Sequence, residues 1–449
     1  MLKSTHPNIK NRTFATHSSL PNLPLPMDTT LNTTAVGIRA AFLPVVVIAA
    51  LGYFVDIYDL ILFGIVRDTS LSDLGFHDQA QTAMAQLLFN YQMGGMLLGG
   101  IFWGILGDRR GRISVLFGSI LLYSVANILN GMVTDIHQYA VLRLVAGIGL
   151  AGELGAGVTL VVETMPRNER GWGTMVMVGI GALGAVVAAI IADYFSWRIC
   201  YYIGGGLGLL LLLTRVGSYE SGMFKQAKTQ AAAVARGNFF ALFNSRSRLR
   251  RFAACVGLAL PIWFSVGILI LLAKEFAAVI HITGVPTGTR IGAKAILWLY
   301  VGLASGDILA GWLSQVWRSR RRVILTYMVV LAVCIVVYLT MRNVSYPFFL
   351  FMSWLLGAAT GYWGLFVTTA SEQFGTNLRA TVTTTVPNFA RGAVIPIAAL
   401  YGWCSNAFTP THDIITGALI TGGLMLAIGI WSAYSMEETF GKDLEYFEA

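Results

Sequence analysis

Long apolar stretches recur from one end of this 449-residue chain to the other, and they limit its fold more than any other feature. A helix of about 20 apolar residues spans the hydrocarbon core of a bilayer. Backbone groups inside lipid need hydrogen-bond partners within the protein, which favours helices. The sequence therefore predicts an all-α membrane protein. Twelve apolar windows lie at 42–67, 83–106, 113–133, 138–164, 172–193, 197–215, 252–273, 291–316, 323–341, 346–370, 380–402 and 412–435.

The composition also favours a lipid environment. Hydrophobic residues make up 56% of the chain and charged residues 12%, whereas soluble domains carry roughly 25% charged residues. The net charge of +9 comes from Lys and Arg clustered in alternate connections between windows, a pattern typical of cytoplasmic loops. The segments 68–82 and 403–413 contain neither residue and are predicted to face outward. We therefore expect a multi-pass inner-membrane protein with cytoplasmic termini and no nucleic-acid partner.

The two halves of the chain resemble each other. RLVAGIGLAGELGAGVTLVVETMPRNERGWG, starting at Arg143, parallels WLLGAATGYWGLFVTTASEQFGTNLRATV, starting at Trp354. Such a repeat predicts two six-helix bundles related by an axis along the membrane normal. Arg215 is assigned to the basic residues between the bundles. The predicted organisation is a disordered cytosolic tail at 1–40, an N-terminal bundle at 41–215, a cytosolic linker at 216–251, a C-terminal bundle at 252–435 and a cytosolic C-terminal tail at 436–449.

No residue pattern in the sequence points to catalysis. The chain has no GxxxxGK phosphate loop, which argues against ATP as the energy source. The four cysteines stand singly in or beside different windows, which is typical of buried apolar residues rather than of a disulfide or metal site. We predict neither an enzyme nor a bound cofactor or metal. A membrane sensor that binds a ligand without moving it is the alternative class.

The connection after the second window reads GILGDRRGR at 104–112. Gly107 and Gly111 permit a tight turn between neighbouring helices. This motif, together with twelve windows in two halves, resembles the major facilitator superfamily of membrane transporters over nearly the whole chain. The resemblance implies the major facilitator fold, in which a monomer of twelve helices forms the complete pathway.

The same resemblance, with the internal repeat, implies gating residues at the cytoplasmic ends of the helices. Asp108 is expected to cap the following helix and to pair with an arginine in one conformational state. The pair Glu163 and Arg170 of the first half recurs at equal spacing in the second. The predicted gating residues are Asp108, Arg109, Gly111, Arg112, Glu163, Arg170, Glu372 and Arg379.

Other segments are similar to several branches of the superfamily. DIYDLILFG at 56–64 and GELGAG at 152–157 resemble metabolite:proton symporters. NYQMGGMLLGGIFWG at 90–104 resembles aromatic acid and sugar porters, and EETFGKDLE at 437–445 resembles the sugar porter tail. RGAVIP at 391–396 resembles organic anion transporters. These resemblances imply a secondary carrier and leave its substrate open.

Ionisable side chains within the windows are few, because each costs about 2.5–3.5 kcal/mol at the centre of a membrane helix. Asp56 and Asp59 lie three residues apart and hence on one helix face, and Glu153 lies near the centre of the fourth window. A low dielectric and a neighbouring like charge both favour the protonated carboxyl group. These three acids are therefore predicted to exchange protons. The alternative is a structural ion pair, with Arg143 as the partner.

Arg391 lies about 16 Å into the eleventh window at 1.5 Å per residue, near the midplane. A guanidinium binds a carboxylate through two parallel hydrogen bonds, and the resemblance to organic anion transporters implies that role here. The alternative is an ion pair with Asp307 of the eighth window. Trp263, Tyr362 and Trp363 are predicted to line a central pocket and stack on the substrate, with packing or an interfacial position as the alternative.

These residues predict a proton-coupled symporter that takes up a small organic anion, either a carboxylate or an aromatic acid, by alternating access. Its predicted partners are the small-molecule substrate, protons and the lipid bilayer. One alternative is a proton-coupled exporter of a metabolite or drug. This is less favoured because drug exporters carry a Gly-Pro motif in the fifth helix, and 172–193 contains no proline. The other is an uptake carrier for a neutral sugar or a zwitterion.

Overall fold

The computed structural model describes residues 44–110, 112–165, 170–220, 239–407 and 413–441. These ranges are helical apart from short connections and one isolated bridge between Thr283 and Ser345, so the predicted all-α class is confirmed. The helices are α1 (Pro44–Asp73), α2 (Asp78–Arg110), α3 (Arg112–Asn130), α4 (Ile136–Leu150), α5 (Glu153–Thr164), α6 (Arg170–Tyr194), α7 (Trp197–Glu220), α8 (Arg246–Leu258), α9 (Leu260–Phe264), α10 (Ala273–Ile280), α11 (Ile291–Val316), α12 (Arg320–Thr340), α13 (Tyr346–Thr360), α14 (Trp363–Glu372), α15 (Thr376–Gly392), α16 (Val394–Ala407) and α17 (Ile414–Ser435). A 3₁₀ turn at Phe239–Leu242 precedes α8, and a π-helical segment at Ser265–Ile270 follows α9.

Every predicted window coincides with helix. Within the described ranges, nine helical segments are long and apolar enough to cross a bilayer: Val46–Asp73, Ile136–Val161, Gly171–Tyr194, Trp197–Arg215, Arg246–Ile270, Ile291–Val316, Arg320–Thr340, Tyr346–Glu372 and Ile414–Ser435. The other three windows coincide with α2, with α3 and with α15 followed by α16, which do not meet the same length and hydropathy. The count of twelve spans therefore stays a prediction.

Several windows are interrupted near their middle. The break between α4 and α5 lies at 151–152, that between α13 and α14 at 361–362, and that between α15 and α16 at Ala393. In the seventh window, Ala259 interrupts the helix, and Pro261 lies in the first turn of α9, where its missing N–H has no helical partner to lose. The interruptions at 259, 361–362 and 393 lie close in sequence to side chains that line the central cavity described below.

The helices flanking the predicted linker extend into it. Helix α7 continues to Glu220, and α8 begins at Arg246. Arg215 therefore lies within α7, where only 4% of its surface is exposed, and its assignment to a cytosolic basic segment was wrong. The predicted tail at 1–40 and most of the linker lie outside the described residues. The limits of the predicted domains stay a prediction.

Ion pairs join the two halves at one end of the molecule. Arg67, near the end of α1, pairs with Glu275 of α10 at 3.1 Å. Lys294 of α11 pairs with Asp193 of α6 at 2.5 Å, and Arg290 pairs with the same carboxylate at 3.0 Å. We call this the ion-paired end. Helix α1 ends at Asp73 and therefore continues past the predicted end of the first window at Arg67.

Close helix packing joins the halves toward the other end. A side chain at Gly155 of α5 would collide with Thr384 of α15, and one at Gly100 of α2 would collide with Asn388. The Asn388 amide donates to the carbonyl of Ala151 at 2.8 Å. We call this the glycine-packed end. Since helices from both halves meet at the two ends, the cavity between them is closed on both sides.

Candidate functional site

The central cavity lies between the two halves. Helices from both halves line it, and most of its lining is apolar or aromatic. The lining residues are Tyr53, Ile57, Leu60, Ala182, Ile262, Trp263, Val266, Tyr300, Leu303, Trp363 and Arg391. Ligand pockets typically combine apolar walls with a few polar groups. We call this cavity the chamber.

Among the described residues that line the chamber, Arg391 is the only charged one. It lies in the last turn of α15 and is 1% exposed. Its guanidinium carbon lies 5.6 Å from the ring centroid of Trp363 and 5.9 Å from that of Trp263. One terminal nitrogen donates to the Asn388 side chain at 3.4 Å. The arrangement presents a desolvated cation between two indoles, which stabilise it through cation–π attraction.

Asp56 of α1 is the counter-charge of Arg391. The Nη2 atom of Arg391 lies 3.8 Å from Oδ2 of Asp56, which is an ion pair but too long for a hydrogen bond. Asp307, the partner considered from the sequence, instead accepts a hydrogen bond from the Gly364 backbone N–H at 2.9 Å. The alternative pairing of Arg391 with Asp307 was therefore wrong.

Several polar atoms around Arg391 have no hydrogen-bond partner among the described residues. They are both carboxylate oxygens of Asp56, the Nε atom of Arg391 and the indole nitrogen of Trp263. The indole of Trp363 differs, because its N–H donates to the Tyr53 hydroxyl at 2.8 Å. Buried polar groups are normally partnered, so this cluster has both the charge and the free donors that a polar ligand would use.

Asp59 lies one helical turn from Asp56 but is not among the residues that line the chamber. A side chain at Gly204 of α7 would collide with the Asp59 carboxylate, which places that carboxylate against α7 within the N-terminal half. Its polar neighbours are Asn127 and Arg143. The two acids that the sequence placed on one face thus meet different surroundings, one beside the chamber and one inside the N-terminal bundle.

Arg143 makes hydrogen bonds rather than the direct ion pair that was the alternative to proton exchange. It donates to the side-chain oxygen of Gln92 and, at 3.4 Å, to the hydroxyl of Tyr201. That hydroxyl lies 2.7 Å from the hydroxyl of Tyr139, and the guanidinium carbon lies 5.3 Å from the Phe63 ring centroid. Arg143 interacts electrostatically with Asp59, but it makes no direct contact that would neutralise the Asp59 carboxylate.

Glu153, the third predicted proton-exchanging acid, is paired with Arg215. Two nitrogens of Arg215 donate to its two carboxylate oxygens, at 2.5 and 3.0 Å. Arg215 also donates to the carbonyl of Ile48 at 3.3 Å. Glu153 is fully buried and Arg215 is 4% exposed, so this is a buried bidentate pair. The sequence missed it because Arg215 was assigned to the linker.

Tyr362 does not line the chamber. Its hydroxyl donates to the carbonyl of Leu258 at 3.1 Å, and its ring lies edge-on to Tyr327 with centroids 6.2 Å apart. These contacts match the packing alternative. Tyr53 and Tyr300 line the chamber instead, and no sequence signal distinguished them from the other tyrosines in apolar windows.

The predicted gating residues are described only in part. Gly111 lies outside the described residues, and so do the side chains of Asp108, Arg109, Arg112, Glu163 and Arg170. Arg379 is buried in α15. Glu372 accepts a hydrogen bond from Arg320 of α12 at 2.7 Å, a partner that the repeat did not reveal. The gating roles stay a prediction.

Comparison with known proteins identifies the family. A family model described as Major Facilitator Superfamily matches residues 31–399. A solved structure of the proton:xylose symporter XylE, bound to 6-bromo-6-deoxy-D-glucose, has the same fold, with a TM-score of 0.69 over 92% of this chain and 98% of that chain. The two sequences are 15% identical, so this likeness concerns the fold alone.

Relatives by sequence are bacterial transport proteins. The sialic acid transporter NanX of Escherichia coli is 30% identical over 38% of this chain and 43% of its own length. A probable 4-methylmuconolactone transporter of Cupriavidus pinatubonensis is 24% identical over 78% of this chain and 80% of its own length. The multidrug resistance protein MdtG of Serratia proteamaculans is 30% identical over 58% and 62%. The chain thus spans less than half the length of NanX.

The family match covers most of the chain, and the helical architecture agrees with it. These relatives and the structural neighbour are membrane-embedded transporters of small molecules rather than enzymes. The resemblance inferred from GILGDRRGR and the paired halves is thereby confirmed, and the chain belongs to the Major Facilitator Superfamily.

Proposed function

We propose that this protein is a proton-coupled symporter that takes up a small organic anion across the inner membrane by alternating access. The observation that carries the proposal is Arg391, a buried guanidinium in a closed chamber, with unpartnered donors on its own Nε and on the indole of Trp263. A buried charge without full partners is costly. A carboxylate supplies both the opposite charge and the acceptors that these donors lack.

The ion pair between Arg391 and Asp56 provides a route to coupling. At 3.8 Å the two charges attract each other without a hydrogen bond. When Asp56 takes up a proton its charge disappears, and the guanidinium is left to be neutralised by the substrate. Loss of the proton restores the pair and weakens the hold on the anion. Proton and anion therefore bind together and leave together.

Asp59 is proposed as a second group within the N-terminal half that exchanges the same proton, in turn with Asp56. It is fully buried, and among the described residues its carboxylate has no direct ion-pair partner and no hydrogen-bond partner. Glu153 is different, because a neutral Glu153 would leave the buried Arg215 without its counter-charge. We therefore assign Glu153 to a structural charge pair rather than to proton exchange.

Alternating access would involve the two closures described above. The ion-paired end adjoins the 68–82 connection, which has no Lys or Arg, and we assign it to the outer face on that basis. The glycine-packed end and both termini would then face the cytoplasm. Substrate must bind one arrangement more tightly than another to shift their populations, and the protein is proposed to act as a monomer.

One similar protein supports an organic-acid substrate, because NanX is named for sialic acid. A second candidate function is export, and the partial likeness to the multidrug resistance protein MdtG favours it. An exporter would accumulate substrate in inverted membrane vesicles when protons are driven inward.

The test uses the full chain in liposomes that contain a pH-sensitive dye. Carboxylates, aromatic acids, zwitterions and sugars are added in turn outside. We expect an acid to trigger internal acidification, and we expect Arg391→Ala to abolish this response while Arg391→Lys retains part of it, since the lysine keeps the charge but not the bidentate geometry. Acidification triggered by sugars alone, or an unchanged response in Arg391→Ala, would contradict the proposal.

A further inference from the structure

We infer that the substrate carries one negative charge on an otherwise apolar body, and that it moves with one proton so that no net charge crosses the membrane. This rests on the proposed function. To the proposed function it adds the number of charges on the substrate and the statement that transport is electroneutral.

Counting the charges beside the chamber leads to the single negative charge. In the empty state, Arg391 and Asp56 neutralise each other. In the loaded state, protonated Asp56 is neutral, and one monovalent anion neutralises Arg391. Both states bury no net charge at this position. A dianion would bring a second negative charge into the same low-dielectric space without a counter-charge, which is strongly unfavourable.

The other charged groups near the chamber do not supply the second positive charge that a dianion would need. Arg215 is already held by both oxygens of Glu153. Arg143 lies inside the N-terminal half and is not among the residues that line the chamber. Asp307 is a further carboxylate, held by the Gly364 N–H, and adds no positive charge.

The walls of the chamber point to an apolar substrate body. Apart from Arg391, the described lining consists of aliphatic side chains and aromatic rings, whose polar atoms are the hydroxyl groups of Tyr53 and Tyr300 and the indole nitrogens of Trp263 and Trp363. The unpartnered donors are clustered at the Arg391 and Trp263 side. A sugar ring carries hydroxyl groups around its edge. Several of these hydroxyls would lie against aliphatic or aromatic surface without a hydrogen-bond partner, which is unfavourable.

A second cavity, whose lining is likewise mostly apolar and aromatic, lies toward the ion-paired end. It shares Leu60, Val266 and Tyr300 with the chamber. No charged side chain is among the residues described as lining it. A substrate that follows this route passes from one apolar space to the next and meets its single cation at Arg391.

The experiment uses the full-length protein in liposomes with the pH gradient and the membrane potential set independently. Three probes of similar shape are compared: 4-hydroxybenzoate with one carboxylate, terephthalate with two, and 4-hydroxybenzyl alcohol with none. Protein-free liposomes give the passive flux, which is subtracted. We expect proton-coupled uptake of 4-hydroxybenzoate, at least about 100-fold lower kcat/KM for terephthalate, and no saturable uptake of the alcohol.

The membrane potential supplies the second readout. One net charge moved across 100 mV would change the accumulation ratio about fiftyfold. We expect the ratio for 4-hydroxybenzoate to follow the pH gradient and to stay within about twofold when the potential changes, because no net charge moves. A fiftyfold response, or efficient acidifying uptake of terephthalate, would overturn this inference and leave the symport proposal standing. If no monocarboxylate acidified the lumen, both would fall.

A matched pair of variants tests the carboxylate contact itself. Trp263→Phe removes the unpartnered indole N–H, whereas Trp363→Phe removes one that is already bound to Tyr53. We expect about a tenfold higher KM for 4-hydroxybenzoate in Trp263→Phe and a smaller rise in Trp363→Phe. Equal KM values in the two variants would contradict the assignment of the Trp263 N–H to the substrate carboxylate.

Discussion

The buried carboxylates of α1 and the buried carboxylate of α5 lie in the same half of the protein but in opposite chemical situations. Asp56 and Asp59 are fully buried, and none of their oxygens has a hydrogen-bond partner within the described residues. Glu153 is equally buried, yet both of its oxygens accept hydrogen bonds from Arg215. Burial alone therefore does not distinguish a proton-exchanging acid from a structural one.

The pairing of each carboxylate decides its role. Neutralising Glu153 leaves the buried guanidinium of Arg215 without a counter-charge. Neutralising Asp56 leaves Arg391 able to pair with another anion. We expect the first change to disrupt the fold locally and the second to make the chamber ready for substrate. Under the proposed function, a buried carboxylate thus stabilises the N-terminal half at one position and couples protons to substrate at another.

The largest effect is expected at the Glu153 and Arg215 pair. Removing one partner of a buried pair costs about 3–5 kcal/mol, so Glu153→Gln and Arg215→Gln should each lower thermal stability strongly. The double variant should recover much of the loss, since neither charge is then left alone. Thermal unfolding of the purified protein in detergent measures all three.

Asp59→Asn is the control for that series, because it removes a buried acid that has no direct ion pair. Its stability should change by less than about 1 kcal/mol. A loss as large as that of Glu153→Gln would show that the carboxylates of α1 are structural as well, and the contrast between the two regions would disappear.

The sequence predicted the helical fold well, because hydropathy is a local property. Each window coincides with helix, and the GILGDRRGR motif with the paired halves led to the correct family. The breaks inside the windows were not predicted, since they depend on packing between distant segments. At Gly361, for example, the break lies directly against Gly306 of α11.

The candidate site was predicted only in part. Intramembrane charge identified Asp56, Asp59 and Arg391, because charged groups inside lipid are rare and usually functional. Their partners were not evident, since Asp56 and Arg391 lie in different halves and only the folded structure brings them together. The role of Tyr362 was misread for a similar reason. An aromatic residue in an apolar window faces the chamber or a neighbouring helix, and sequence does not tell which.

A smaller effect is expected at the ion-paired end, where the Glu275 carboxylate of the C-terminal half pairs with Arg67 of the N-terminal half. Glu275→Gln leaves Arg67, which is 3% exposed, with Asp68 as its remaining ion-pair partner among the described residues. We expect the closure to weaken by about 1 kcal/mol, which corresponds to about fivefold faster labelling of a cysteine placed at Val266 from that side. The four native cysteines are replaced first.

Asp193→Asn is the matched comparison at the same end. Asp193 is 33% exposed and pairs with partly exposed cations, and such pairs contribute about 0.2–1 kcal/mol. Its effect on labelling should be smaller than that of Glu275→Gln. Faster labelling in Asp193→Asn would indicate that the Arg67 pair does not control the closure.

The smallest effect is expected at Asp413, a carboxylate outside the membrane-spanning segments that caps α17. The hydrogen bond from the Thr416 hydroxyl holds the pKa of Asp413 below its usual value, so its contribution to stability is present above about pH 4 and is lost as the pH falls through the folded-state value. Asp413→Ala should cost about 1 kcal/mol of stability. The pH profile of transport between pH 5 and 8 should stay unchanged, in contrast to substitutions at Asp56 or Asp59.

The most direct test of proton coupling at the chamber compares two assays of Asp56→Asn in liposomes. One assay measures substrate-triggered acidification of the lumen, and the other measures exchange of labelled for unlabelled substrate at equal pH. The asparagine mimics the protonated acid, so we predict that exchange persists while acidification and pH-driven accumulation are lost. Acidification at the level of the unsubstituted protein, together with normal exchange, would show that Asp56 does not carry the coupled proton.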